Sequence, residues 1–461
     1  MKPELTTLVA EPEPKRALAP GHALVPLVGW GRQLTVEAQV VAGPDLQRIT
    51  RDAALCRGLG RAYGDAALPS PGSTRPVAHT VMADRILAFD QSTGLIRVEA
   101  GLRLLDLNRL FLHRGWFTPV TPGTQYVTVG GMVAADVHGK NHHVHGTFSQ
   151  HIRSLTIRVG DGRVVVASPQ VEPELFWATT GGMGLTGHIL EVAFQMEKIA
   201  SPWIYEESER FGDLQSTFDA LNRDSEKWPM TVSWIDTSAR GASLGRGMVI
   251  RGRWATPDEA PAEPPRPRRA PSVPDVFPNG VMNRTTIRIA NALWYAKHGS
   301  KPRKHVVAPE DFFYQLDMAT EWNRFYGRRG FTQYQCVLPS SVELYRDVLE
   351  RFQQLGGSSF ITVFKDCGEQ GPGLLSFPQR GTSLAVDIPV TAGTPRLVAE
   401  LNAMVVANGG RIYLAKDSYS WTGAFQQMYP RLDEFRRVRR RFDPDGRICS
   451  AQSVRLFGDP P

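Results

Sequence analysis

Cysteine is scarce in this 461-residue sequence: Cys56, Cys336, Cys367 and Cys449 lie far apart, and none belongs to a C-x-x-C pair. That spacing excludes a zinc ribbon and a dense disulfide framework. Long apolar runs are missing too, and nothing approaches the ~18 residues that a membrane-spanning helix needs. The opening "MKPELTTLVAEPEPKRALAPG" has no apolar core of the kind a secretory signal carries. These absences predict a cytoplasmic protein whose contact with a membrane is at most peripheral. Acidic residues are fewer than basic ones, 46 against 53, for a formal net charge of +7. So modest an excess points to a phosphate-bearing ligand and away from a dedicated nucleic-acid binder, so no nucleic-acid partner is expected. There is no internal repeat.

The length implies two domains or one two-lobed enzyme. Residues 1–25 read as a Pro-rich tail. "LIRVEAG" (95–101) reads as a strand, and "LLDLNRLFLHRG" (104–115) as a helix whose Leu104, Leu107 and Phe111 recur at helical spacing. "SLTIRVGDGRVVVASP" reads as a hairpin turning at Asp161-Gly162. "TPDEAPAEPPRPRRAPSVPD" (256–275) is too rich in proline for helix or central strand and reads as a mobile loop. "KHGSKPRKHVV" (297–307) reads as a second, basic loop. Helices are expected near 340–355 and 395–408, the latter ending at "NGG", and "FRRVRRRFDP" reads as a solvated helix face. The whole is mixed α+β.

Three glycine-rich turns carry the chemistry. "RGLGRAYGDAA" (57–67) places Gly58, Gly60 and Gly64 where backbone N–H groups can converge on pyrophosphate. Its spacing is not the dinucleotide fingerprint of the Rossmann fold. "TPVTPGTQYVTVGGMVAADVHGKNHH" (118–143) adds Gly123, Gly130 and Gly131, with Thr124 and Thr128 as hydroxyl donors. "ELFWATTGGMGLTGHILEVAF" (174–194) adds Gly181, Gly182, Gly184 and Gly187. Any one of these turns could be ordinary; three in this order suit a long cofactor that contains phosphate. Five of the eleven histidines crowd into "VHGKNHHVHGTFSQH" (137–151), without the ligand spacing of a zinc site, so no metal is expected.

The series "LVGWGR", "RGLGRAYGD", "TPGTQYVTVGG", "DVHGKNHH", "ELFWATTGGMGLTG", "VPDVFPNG", "LWYAKHG", "QYQCVLP", "FKDCG", "LSFPQRG" and "YLAKDS" resembles the vanillyl-alcohol-oxidase-type flavoproteins. Among these it is most similar to the FAD-dependent decaprenylphosphoryl-β-D-ribose 2′-oxidase family, from about Gly29 to Leu456. The resemblance implies a two-lobed α+β FAD-binding fold of the vanillyl-alcohol-oxidase/PCMH type with an antiparallel-sheet substrate domain. An N-terminal FAD-binding part would span 1–198 and a substrate-binding domain 199–408. Residues 409–461 would return to the FAD-binding domain. It also implies oxidation of a sugar CH–OH, as the first half of an epimerisation in cell-wall biosynthesis, with a separate NAD(P)H-dependent reductase as partner and a lipid-phosphate-linked sugar as substrate. The alternative is the same flavin chemistry on a soluble sugar, polyol, aldonolactone or secondary metabolite.

By the same resemblance, FAD would be held by Arg57, Gly58, Leu59, Gly60, Arg61, Gly64 and Asp65, by Thr121, Gly123, Thr124, Thr128, Gly130 and Gly131, by Gly181, Gly182, Gly184 and Gly187, and by Tyr413. Arg61 stands where many relatives attach FAD through a histidine, which implies non-covalent FAD. Lys416 would be the base or alkoxide stabiliser, with Tyr63 assisting and His138 against the flavin. Lys140, Trp234, Tyr314, Gln335 and Lys365 would line the substrate pocket. Where the family has "N-x-C", this chain has Ser383 and Ala385, which removes an amide and a thiol.

Overall fold

The structure, a computed structural model, describes residues 24–223, 227–299 and 301–460. All but the last two residues of the expected tail lie outside that range. Leu24 and Val25 begin the strand Leu24–Val28. Its four-stranded sheet runs in the order Leu24–Val28, Thr35–Ala42, Val77–His79, Leu55–Arg57, and the last three strands pair in parallel. A second sheet, five-stranded and antiparallel, contains the hairpin Ile152–Arg158/Val164–Ala167. Gly162 takes the left-handed φ of 94° that this turn needs. Between the two sheets and the substrate side lie the glycine turns.

An eight-stranded antiparallel sheet forms the other lobe, from Ile204–Phe211 to Arg411–Ile412. Its edge strand Arg411–Ile412 extends that lobe past the boundary expected at 408, because it pairs with Cys336 and Val337. The strand Phe331–Leu338 is buried along its whole length, and its side chains alternate between the two faces of the sheet. Tyr334 donates from its hydroxyl to Asn402 on the helix Thr394–Ala407. Phe331, Gln333 and Gln335 point the other way, toward the cofactor lobe. That inward face positions the site.

Two readings of the chain are corrected. Arg303–Val307, expected in a loop, is a strand pairing antiparallel with Ile204–Phe211. Its two adjacent valines, Val306 and Val307, were masked by the cations before them. The segment 256–275 lacks regular structure, as its prolines dictate, but it is tied down at several points. Arg253 binds Glu259 on both carboxylate oxygens, Arg268 reaches Asp311 at 2.6 Å, and Val273 donates to the Thr320 carbonyl. The arginine-rich helix Leu432–Phe442 buries Leu432, Phe435, Val438 and Phe442. Arg437 and Arg441 meet Glu174 and Glu172 at the surface, while Arg439 turns inward to Asp459.

Candidate active site

The pyrophosphate-type turn is built by close backbone approach. Tyr63 donates its N–H to the Ala415 carbonyl, and Trp30 and Gly31 donate to the carbonyls of Ala62 and Tyr63. A Cβ on Gly64 would sit 2.0 Å from the Asp417 carbonyl oxygen, so only glycine lets these two loop segments meet. The turn thereby locks the C-terminal segment carrying Lys416 beside Tyr63. Above it opens a cleft lined by Gly58–Tyr63, by Thr128, Gly130 and Gly131, and by Met183–Leu185 and Gly187.

This cleft fits FAD. Among the described residues, the N–H groups of Leu59, Gly60 and Arg61 bond to no backbone carbonyl, and the buried Arg61 Nε has no partner. Such inward, unmatched donors are what a pyrophosphate needs. A Cβ on Gly58 would meet Thr128 Oγ1 at 2.4 Å, so glycine is needed to keep the two turns in contact. Arg61 stacks its guanidinium 3.8 Å over Trp30 and lies 3.7 Å from Glu321, so its charge is fixed at the cleft wall.

Several predicted cofactor residues prove to hold the cleft from behind. Arg57 donates to the Ala67 and Val28 carbonyls and packs under Gly60, so it braces the turn. Asp65 accepts from Nε and Nη2 of Arg455, which ties the turn to the C-terminal helix. Thr128 and Thr124 do line the cleft, Thr128 while capping the helix Val129–Ala134 by accepting from the Gly131 N–H, and Thr124 while donating to Asp317. Gly181 and Gly182 do not line the cleft; a Cβ on Gly182 would strike the Ala178 carbonyl at 2.1 Å. Gly123 sits beside open space. Tyr413 does line the cleft, with its hydroxyl donating to the Ala135 carbonyl.

On the substrate side, one row across the eight-stranded sheet carries Gln335, Ala385, Val363 and Trp234, and the neighbouring row carries Ser383 and Lys365. Gln335 donates to Ser383 Oγ at 3.2 Å and lies 3.0 Å from His138 Nε2. His138 is a layer behind the cleft, its ring 5.0 Å from that of Tyr413. Burial and the nearby Lys365 hold its pKa well below the usual value, so it is neutral. Trp234 shares the substrate-side face, but its indole N–H is fixed to the Phe360 carbonyl at 2.8 Å. Tyr314 is a correction: fully buried, it has its hydroxyl held by Asn108 and Thr121, so both it and Thr121 knit the lobes together and neither presents a free group. Lys140 points into the same seam and donates to the Phe312 carbonyl. The remaining cluster histidines are structural: His142 accepts from the Gly368 N–H, while His143 and His151 bond to the carbonyls of Trp228 and His145.

Lys416 lies at the junction of cleft and sheet, its ammonium 3.6 Å above the Tyr63 ring. Burial pushes its pKa below the ordinary lysine range, Lys365 adds to the fall, and the Asp387 carboxylate opposes it. Asp387 is wholly buried, accepts from Gln333 at 2.6 Å, and its own pKa is raised by burial. Sequence reasoning missed both Asp387 and Gln333. The signal was present: a carboxylate in the middle of the apolar strand "SLAVDIPV" needs a buried partner.

A family model described as an FAD binding domain matches residues 45–168, and one described as D-arabinono-1,4-lactone oxidase matches 389–456. Decaprenylphosphoryl-β-D-ribose oxidase of Mycolicibacterium smegmatis is 39% identical over 93% of this chain and 97% of its own length. The chain belongs to the decaprenylphosphoryl-β-D-ribose oxidase family. Membership makes it an FAD-dependent oxidoreductase acting on CH–OH groups, with the vanillyl-alcohol-oxidase/PCMH fold. D-arabinono-1,4-lactone oxidase of Yarrowia lipolytica is 33% identical, but over only 21% of this chain and 18% of its own. Cytokinin dehydrogenase 4 of Arabidopsis thaliana is 27% identical over 34% and 27%. These shorter likenesses cover 21% and 34% of the chain, whereas the family's own covers 93% of it.

Proposed function

We propose that the chain oxidises the C2′ hydroxyl of a polyprenylphosphoryl ribose to the ketone, and that a separate NAD(P)H-dependent reductase completes the epimerisation. The observation that carries this reading is Lys416, a buried amine that lines the cofactor cleft and, on its other side, a small cavity shared with Gln333 and Gln335 of the substrate-side sheet. The likeness to the Mycolicibacterium oxidase along both lobes supports it, and the short lactone-oxidase matches leave the soluble-sugar alternative weaker. Bound FAD supplies the two-electron acceptance that oxidising a carbinol requires.

This chain's own residues handle the proton and the position. Lys416, lowered into a range where its neutral amine is populated, takes the hydroxyl proton. Tyr63 has its pKa raised well above the ordinary value by burial and the Asp387 charge, so it remains a phenol and acts as a hydrogen-bond donor. Gln335 and Ser383 offer polar contacts to the sugar, and Lys365 meets its phosphate as a charge-assisted donor. Ala385 leaves the adjoining wall smooth. The test is anaerobic bleaching of the enzyme's yellow colour by synthetic polyprenylphosphoryl ribose, set against free ribose and aldonolactones. Bleaching by a lactone at an equal or greater rate would reassign the substrate.

Two further outcomes follow from the site. FAD is non-covalent, because Arg61 offers no nucleophile where relatives attach it; acid precipitation therefore leaves all yellow colour in the supernatant, and colour in the pellet would disprove this. Asp387→Asn removes the negative charge that raises the Lys416 pKa, so Lys416 loses its proton at lower pH. The rising limb of flavin reduction against pH then moves to the acid side. A limb that stays in place would separate Asp387 from the function of Lys416.

A further inference from the structure

The helix Arg284–Lys297 presents its polar and apolar faces in an unexpected arrangement. Its inner face is anchored: Ile287 and Asn291 are fully buried, Asn291 donates to Asp236 and to the Ser359 carbonyl, and Tyr295 donates to the Phe211 carbonyl. Its outer face consists of Thr285, Ile289, Ala292, Leu293 and Ala296, all exposed and none charged. Ile289 is 55% exposed and Leu293, one turn on, 67%. A solvent-facing helix stripe normally carries the charges; here they are displaced to the flanks, at Arg288 and Lys297. The surrounding sequence is one-sided as well. From Val276 to Ala308 and Pro309 there is no aspartate or glutamate, while Arg284, Arg288, Lys297, Lys301, Arg303 and Lys304 supply positive charge. Of these six, among the described residues, Lys304 alone forms an ion pair, with Glu207 at 3.4 Å.

We infer that this outer face docks on the surface of an anionic bilayer. Apolar side chains flanked by cations, on a stretch of chain that itself carries no acid, match a lipid interface: the chains enter the acyl boundary and the cations meet headgroup phosphates. A second copy of the chain fits less well, since it would set the same cations against each other across a two-fold axis. The helix also lies at the end of the substrate-side row. Trp294 packs on Phe360 with ring centroids 6.3 Å apart, and the Phe360 carbonyl holds Trp234. A docked helix therefore brings the sugar pocket to the membrane face where a lipid-linked substrate resides. In that respect the inference rests on the proposed function, although the docking itself can be measured without substrate.

The test is co-sedimentation of the full-length holoenzyme with phosphatidylcholine vesicles, with and without phosphatidylglycerol. The wild type is expected to pellet with the anionic vesicles and to be released by salt. Ile289→Ser/Leu293→Ser, which alters only exposed positions, should keep its flavin absorbance and melting temperature while its vesicle partitioning falls by at least about tenfold. Equal partitioning of wild type and variant, or none by either, overturns the inference. So does light scattering that shows a wild-type dimer split by the double substitution, which would assign the face to a second copy. Vesicle binding by an enzyme that polyprenylphosphoryl ribose fails to bleach would sink the substrate reading and leave the docking intact. Bleaching without vesicle binding would do the reverse.

Discussion

Lys416→Ala binds FAD as the wild type does, yet substrate reduces it at least about a hundredfold more slowly. Cofactor retention follows from how the segment is held. The Tyr63 N–H bonds to the Ala415 carbonyl and the Lys416 N–H to the Tyr413 carbonyl, and neither bond involves the lysine side chain. The loss of rate follows from the neighbours. Tyr63 is kept protonated by burial, and His138 lies behind the cleft against Gln335. Neither can take the hydroxyl proton in place of the amine. Anaerobic stopped-flow measurement of flavin bleaching decides the matter, and a variant that reduces at close to the wild-type rate would return Lys416 to a structural role.

Arg455→Met lowers the unfolding free energy by about 3–5 kcal/mol. Arg455 grips Asp65 with two hydrogen bonds, at 2.9 and 2.7 Å, Asp417 with one at 2.8 Å, and the Ser420 carbonyl with another. Both carboxylates are buried, and removing the cation leaves two negative charges in a low-dielectric seam. Because Asp65 sits on the glycine turn and Asp417 follows Lys416, the break also loosens the FAD site. Urea unfolding followed by flavin release should show the lower midpoint. An unchanged midpoint would mean that water already solvates the pair.

The glycine turns show how much of the site was legible in advance. Gly58, Gly60, Gly130, Gly131, Gly184 and Gly187 line the cleft as their order along the chain suggested, because a backbone cradle is specified locally by glycine spacing. Charged residues within the same motifs have partners that the motifs do not reveal. Arg57 and Asp65 lie in the pyrophosphate turn, but their partners are Ala67, Val28 and Arg455, and the last of these is 390 positions away from Asp65. Tyr314 was likewise placed in the pocket by likeness, whereas its partners Asn108 and Thr121 belong to the other lobe.

From its sequence alone, the chain was determined to be a two-lobed α+β flavoprotein with a cleft for a phosphate-bearing cofactor and Lys416 in "YLAKDS" as its leading chemical group. Those features depend on local turn chemistry and on a series of motifs in fixed order. Only the tertiary structure decided which groups act on one another: the Asp387 charge on Lys416, Arg455 on Asp65 and Asp417, and Lys140 on the Phe312 carbonyl. It also decided that the helix Arg284–Lys297 turns an uncharged face outward. The physical reason is the same in each case. Burial and long-range pairing set a side chain's charge state and exposure, and both depend on neighbours that sequence distance does not reveal.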